Sequence, residues 1–143
     1  MSQTALGFFL ETHDIEFQAT EISADACPHA QTWDLGQDCH HYFYSVLNRT
    51  SGIRIGFYFS VGAAWTDPPS IDDVINSVIE EMWNLETTDG FLDWAEATGG
   101  ACHEDLTMLE QYWMDAKQLR TSLRVFLGPE VYMEAIRDLQ YRG

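Results

Sequence analysis

The chain has 143 residues, 45% hydrophobic and 13% aromatic, and carries a formal net charge of −16 from 23 Asp and Glu against 7 Lys and Arg. That length suits one domain able to bury roughly two-thirds of its unfolded surface, and the aromatic content excludes a disordered acidic chain, which is poor in such residues. Charge of this sign repels nucleic acid and anionic membrane and attracts basic partners, which sets direct DNA or RNA binding and membrane binding aside.

Taken in order, Ile15, Phe17 and Ala19 alternate with Glu16, Gln18 and Thr20, the period-two pattern of a half-buried strand. A long loop with Pro28 and Gly36 follows. "HHYFYSVL" and "IRIGFYFSV" then flank "NRTSG", a hairpin signal. In the second of these strands Ile53, Ile55, Phe57, Phe59 and Val61 share one face and Arg54, Gly56, Tyr58 and Ser60 the other.

Pro68 and Pro69 end the strand region, and Ser70 stands three residues before Asp73 as in a capping box. Ile71, Val74, Ile75, Val78, Ile79 and Met82 then recur at helical spacing. A short helix is predicted from Phe91 to Ala97, preceded by Asp89 and stopped by Gly99-Gly100. A long one should run from Glu104 to Leu127, although its apolar stripe has a gap between Trp113 and Leu119. Gly128 ends it, and Pro129 opens a last helix with Val131, Tyr132, Ala135, Ile136 and Leu139.

Strands first and helices afterwards predict a single α+β domain over residues 1–143, an antiparallel sheet of about three strands covered on one face by three to four helices. No basic-plus-apolar leader and no run of roughly 20 apolar residues is present, so a cytoplasmic protein is expected. Cys27, Cys39 and Cys102 are then read as reduced thiols, and the Asn48-Arg49-Thr50 glycosylation match as without meaning.

Cys27, His29, Cys39, His40, Cys102 and His103 offer ligands suited to zinc. They lack the two close pairs of a structural site, and His40 and His41 must point to opposite faces if they begin a strand. No metal, no cofactor and no catalytic set is expected. Adjacent carboxylates on exposed helices share solvent, whereas acid/base catalysis needs two carboxyls in different environments. Phosphate loops, nucleophile elbows and EF-hand spacings are all missing.

The acids cluster. From Asp67 to Asp115 there are thirteen Asp or Glu and no Lys or Arg, while Lys117, Arg120, Arg124, Arg137 and Arg142 fall in the last 27 residues. Helix first turns give a structural reason for Asp72, Asp73, Glu104 and Asp105. The excess over that need points to a negative surface made for a basic groove that accepts phosphates, with Asp72, Asp73, Glu80, Glu81, Glu86, Asp89, Asp93 and Glu96 as its carboxylates and Trp65 as an aromatic anchor.

"FYFSVGAAWTDPPSIDDVINSVIEEM", "FLDWAEATGG" and "LRVFLGPEVYMEAI" resemble small acidic proteins encoded on bacterial phages and plasmids. The resemblance spans roughly residues 57–136 and rests on Phe57, Gly62, Pro69, Val74, Phe91, Asp93, Trp94, Gly99, Leu127, Gly128 and Tyr132. It departs at Gly100-Ala101-Cys102-His103, where that family has an Asp-rich turn with a Ser. The resemblance implies a counter-defence protein of the anti-CRISPR or anti-restriction class, acting in the host bacterial cytoplasm on a basic surface of a defence complex. Two rivals stand beside it: a zinc factor built on the Cys and His residues, and a homodimer assembled through an apolar sheet face or through "HHYFYSVL".

Overall fold

The computed structural model describes residues 4–33, 39–62, 70–100 and 105–141. β1 (Ile15–Ile22), β2 (Cys39–Asn48) and β3 (Ile53–Gly62) form an antiparallel sheet in that order. The register aligns Ala19, Tyr44 and Phe57 across the sheet, and likewise Phe17, Val46 and Ile55. Alternation then does the sorting: Tyr42, Tyr44, Val46, Ile55 and Phe57 are buried on one face. Phe17 shares that face but sits on the edge strand, where it keeps 42% exposure.

The hairpin turn is set by Asn48, whose buried carboxamide oxygen accepts the N–H groups of Thr50 (2.9 Å) and Ser51 (3.4 Å). Gly52 closes it at φ +82°, a conformation that costs glycine little. The same turn clamps the start of β1, because the Arg49 N–H donates to the Asp14 carbonyl (2.8 Å) and the Asp14 N–H donates to Thr50 Oγ1 (3.1 Å).

Helices α3 (Ile71–Glu86), α4 (Phe91–Thr98), α5 (Leu106–Leu127) and α6 (Pro129–Tyr141) follow as the periodicity predicts. Ser70 caps α3 by accepting the Asp73 N–H (3.3 Å), and Asp105 caps α5 by accepting the Met108 N–H (3.1 Å). At α4 the cap is Gly90, at φ +87°, directly after Asp89. Val74, Ile75, Val78, Ile79 and Met82 of α3 join Leu109, Leu123 and Phe126 of α5 and Tyr132 and Ile136 of α6 in the core over the sheet. The gap in the α5 stripe is filled by Ala116, packed against the core.

Two further helices differ from the sequence reading. α1 (Ala5–Thr12) is capped by Thr4, which accepts the Gly7 N–H (3.0 Å), and it sends Leu6 and Phe9 into the core. α2 (Pro28–Trp33) starts on proline inside the stretch read as loop. Eight and six residues are too short to display a helical period, and both elements exist because the core offers a place to their few apolar side chains. Residues 24–33 also extend the covering beyond one face. Cys27, fully buried, brings Sγ within 3.8 Å of Ser60 Oγ on the opposite side of the sheet.

On that second face Phe43 lies across Gly56, where a Cβ would meet the ring at 2.7 Å, and stands 5.2 Å from the Tyr58 ring. Gly56→Ala should therefore push Phe43 aside. The ring is only half-buried and can move, so the loss belongs at the low end of overpacking, about 1 kcal/mol. Chemical denaturation checks it: Phe43→Ala should remove most of that loss in the double variant, and a cost independent of Phe43 contradicts the contact.

Candidate functional site

At 100° per residue, Asp73 and Glu80 lie opposite the buried stripe of α3, with Asp72 and Glu81 on its flanks. All four are exposed. The 72/73 and 80/81 pairs are separated by about two helical turns, roughly 12 Å along the axis. In the next segment Asp93 and Glu96, three residues apart, share one side of α4, Asp89 stands just before the helix, and each is exposed. Among them sits Leu92, 78% exposed, while Trp94 and Ala95 turn inward. α4 packs between α3 and α5, which brings the two acidic rows onto neighbouring elements.

Among the described residues, no Lys or Arg forms a salt bridge with Asp72, Asp73, Glu80, Asp89, Asp93 or Glu96. Arg120 and Arg124 turn to Glu86 instead, and Lys117 lies over the Trp113 ring at 3.6 Å. On the other half of the molecule Arg49 pairs with Glu16 (2.7 Å) and His40 approaches Glu21 (3.5 Å).

Glu86 has a place of its own, unlike the other acids of the set. Its side chain is only 16% exposed, and Oε1 accepts from Arg124 (2.8 Å) and from the Tyr132 hydroxyl (3.0 Å), with Arg120 at 3.6 Å. The reason is legible in the spacing: Ile75, Ile79, Met82 and Glu86 continue one inward row of α3. A carboxylate there must be paired, and helices α5 and α6 supply the partners. Glu86 is thus an internal tie between three helices.

That tie also perturbs Tyr132, whose phenol is pushed up from 10.0 by burial, by the Glu86 charge and by its bond to Glu86. Tyr44 rises to about 12, from burial first and then from Tyr42. The folded state holds these protons more tightly than the unfolded chain, so their stabilisation is complete below about pH 10 and is lost as pH rises through 12 and beyond. Urea midpoints taken from about pH 9 upward should fall across that window, and Tyr132→Phe should flatten the fall. A level wild-type profile contradicts this.

Cys27 Sγ (3.8 Å) and His41 Nδ1 (2.8 Å) meet at Ser60 Oγ, but the other described thiol and imidazole groups do not join them. Cys27 is buried, Cys39 half-buried, His40 faces Glu21, and His41 is buried on the opposite parity with Nδ1 2.8 Å from Ser60 Oγ. No group of three or more His, Cys, Asp or Glu able to hold a metal ion occurs among the described residues. Trp65, Cys102, His103 and the His29 side chain lie outside them. The tyrosines of "HHYFYSVL" are core residues: Tyr42 and Tyr44 keep 5% and 0% exposure, which removes them from any dimer surface.

Most residues that carry the family resemblance have structural work. Phe57, Val74, Trp94, Leu127 and Tyr132 are buried, and Gly99 and Gly128 end helices at φ +79° and +86°. Asp93, the one carboxylate of that set, is exposed. No protein-family model, curated protein or solved structure matches the chain. No helix among the described residues is long and apolar enough to cross a membrane.

Proposed function

We propose that this chain is a non-enzymatic inhibitor whose acidic α3–α4 face occupies a basic, nucleic-acid-binding surface of a bacterial defence complex, as a protein mimic of DNA in the anti-CRISPR or anti-restriction class. One observation carries the reading: six exposed carboxylates on one run of chain have no basic partner among the described residues, while arginines from the same fold are turned inward to Glu86. Like charges kept in this way weaken the fold by repulsion, and a basic groove evolved for phosphates recovers that energy on contact. Leu92 supplies an apolar contact within the acid field, the part that Trp65 was expected to play.

Plating efficiency tests it. The protein is expressed in bacterial strains that each carry one CRISPR or restriction system and are challenged with a phage that the system excludes. Plating should recover by orders of magnitude in at least one strain, through loss of DNA binding by the effector. Unchanged exclusion in every strain, with the protein present and folded, contradicts the proposal.

A further inference from the structure

A cleft of about 300 Å³ opens between β3 and α5, outside the six-carboxylate set. Its lining includes Tyr58, Tyr112, Glu81, Asp115, Gly56 and Leu119, with Tyr58 also against the Phe43 ring (5.2 Å) and Tyr112 against Trp94 (6.2 Å). Tyr58 keeps 39% exposure, so its ring is reachable from solvent. Asp115 accepts one hydrogen bond from Gln111 Nε2 (3.0 Å) through Oδ1, and its other oxygen makes no hydrogen bond among the described residues. A second hollow, of about 420 Å³, shares Tyr112 and Asp115 and extends along α5 toward Met108.

The chemistry selects the occupant. Two carboxylates repel a phosphate or a nucleotide, and a cleft at the small end of the ligand range of roughly 300–1,000 Å³ admits one side chain more readily than a cofactor. Aromatic faces combined with carboxylates favour a planar cation, since a guanidinium stacks on a ring while donating in its own plane to an acid. We infer that this cleft receives an arginine side chain of the basic partner, which fixes the register in which the acidic face docks. The adjoining hollow gives the peptide bearing that arginine a path along α5. This inference rests on the proposed function, because a basic partner is what presents such a residue.

The test uses N-acetyl-arginine amide as the probe, with N-acetyl-citrulline amide as its uncharged isostere, and follows backbone NMR shifts of the full chain. Saturable shifts at Gly56, Tyr58 and Leu119 in the millimolar range are expected, as suits so small a ligand. Asp115→Asn, at an exposed position, and Tyr58→Ala should each weaken the probe at least fivefold, while Tyr58→Phe, which keeps the ring, should leave it nearly unchanged. Absence of saturation, equal shifts with citrulline, or shifts confined to α3 and α4 would each overturn the inference.

A variant with lysine at Asp73, Glu80, Asp93 and Glu96 separates this from the wider reading, because it keeps Glu81 and Asp115. If that variant binds the probe yet loses inhibition of the defence complex, both ideas are supported. If it inhibits like wild type, the acidic-face reading fails while the cleft stands on the probe data. If wild type never binds the probe but the variant loses inhibition, the cleft fails alone.

Discussion

Replacing Asp73, Glu80, Asp93 and Glu96 together by lysine should weaken binding to the defence complex about a hundredfold or more, near 3 kcal/mol, while the protein stays folded. Each reversal changes the charge by two, taking the chain from −16 to −8, and it converts attraction to a basic groove into repulsion at that point. The fold has little reason to fail, since all four side chains are exposed and none holds a salt bridge among the described residues. Asp73 and Asp93 do favour the first turns of α3 and α4, and their loss costs about 0.3–1 kcal/mol each. Relief of like-charge repulsion offsets part of that, so the melting temperature should drop by only a few degrees. Calorimetry and binding on the same preparation check both halves. Intact affinity in a folded variant removes the role assigned to these acids.

Glu86 should behave in the opposite way. Glu86→Ala should destabilise the protein by about 2–3 kcal/mol, somewhat below the roughly 3–5 kcal/mol for breaking a fully buried pair, because Arg124 retains 41% side-chain exposure. The cost comes from what is left behind. Arg120 is only 24% exposed and its Nε has no hydrogen-bond partner among the described residues, so removing the carboxylate strands a partly buried charge together with the Tyr132 hydroxyl. Glu86→Gln keeps an acceptor for Tyr132 and should cost less than Glu86→Ala. In a double-mutant cycle, Tyr132→Phe should couple to Glu86→Ala by more than 0.5 kcal/mol, the scale expected of groups in direct contact. Urea denaturation measures all of these, and a loss from Glu86→Ala no larger than the tenths seen at open surface sites contradicts the internal-tie assignment. Defence inhibition by Glu86→Gln at a temperature where it is folded should match wild type.

The contrast between Glu80 and Glu86 shows where sequence reasoning runs well and where it stops. Period-two alternation marks the faces of β1 and β3, and cap chemistry marks Ser70, Gly99, Gly128 and Pro129, because these depend on neighbours within a few residues. Grouping Glu86 with the exposed acids ignored its position seven residues after Ile79 on the inward row; its partners lie 34 and more residues downstream, in α5 and α6. α1 and α2 are held by tertiary packing and have too few residues to announce themselves. The arginine cleft has a weaker local trace still. Tyr58 falls on the outward parity of β3, but only the docking of α5 sets Tyr112 and Asp115 opposite it.

The most direct test takes a defence complex whose exclusion is relieved in the plating assay and measures its affinity for the wild-type chain against salt from about 50 to 200 mM, with labelled DNA as competitor. An acidic face seated in a phosphate-binding groove predicts mutual exclusion with DNA and an affinity that falls more than tenfold over that range. Simultaneous binding of protein and DNA, or an affinity indifferent to salt, would contradict the account.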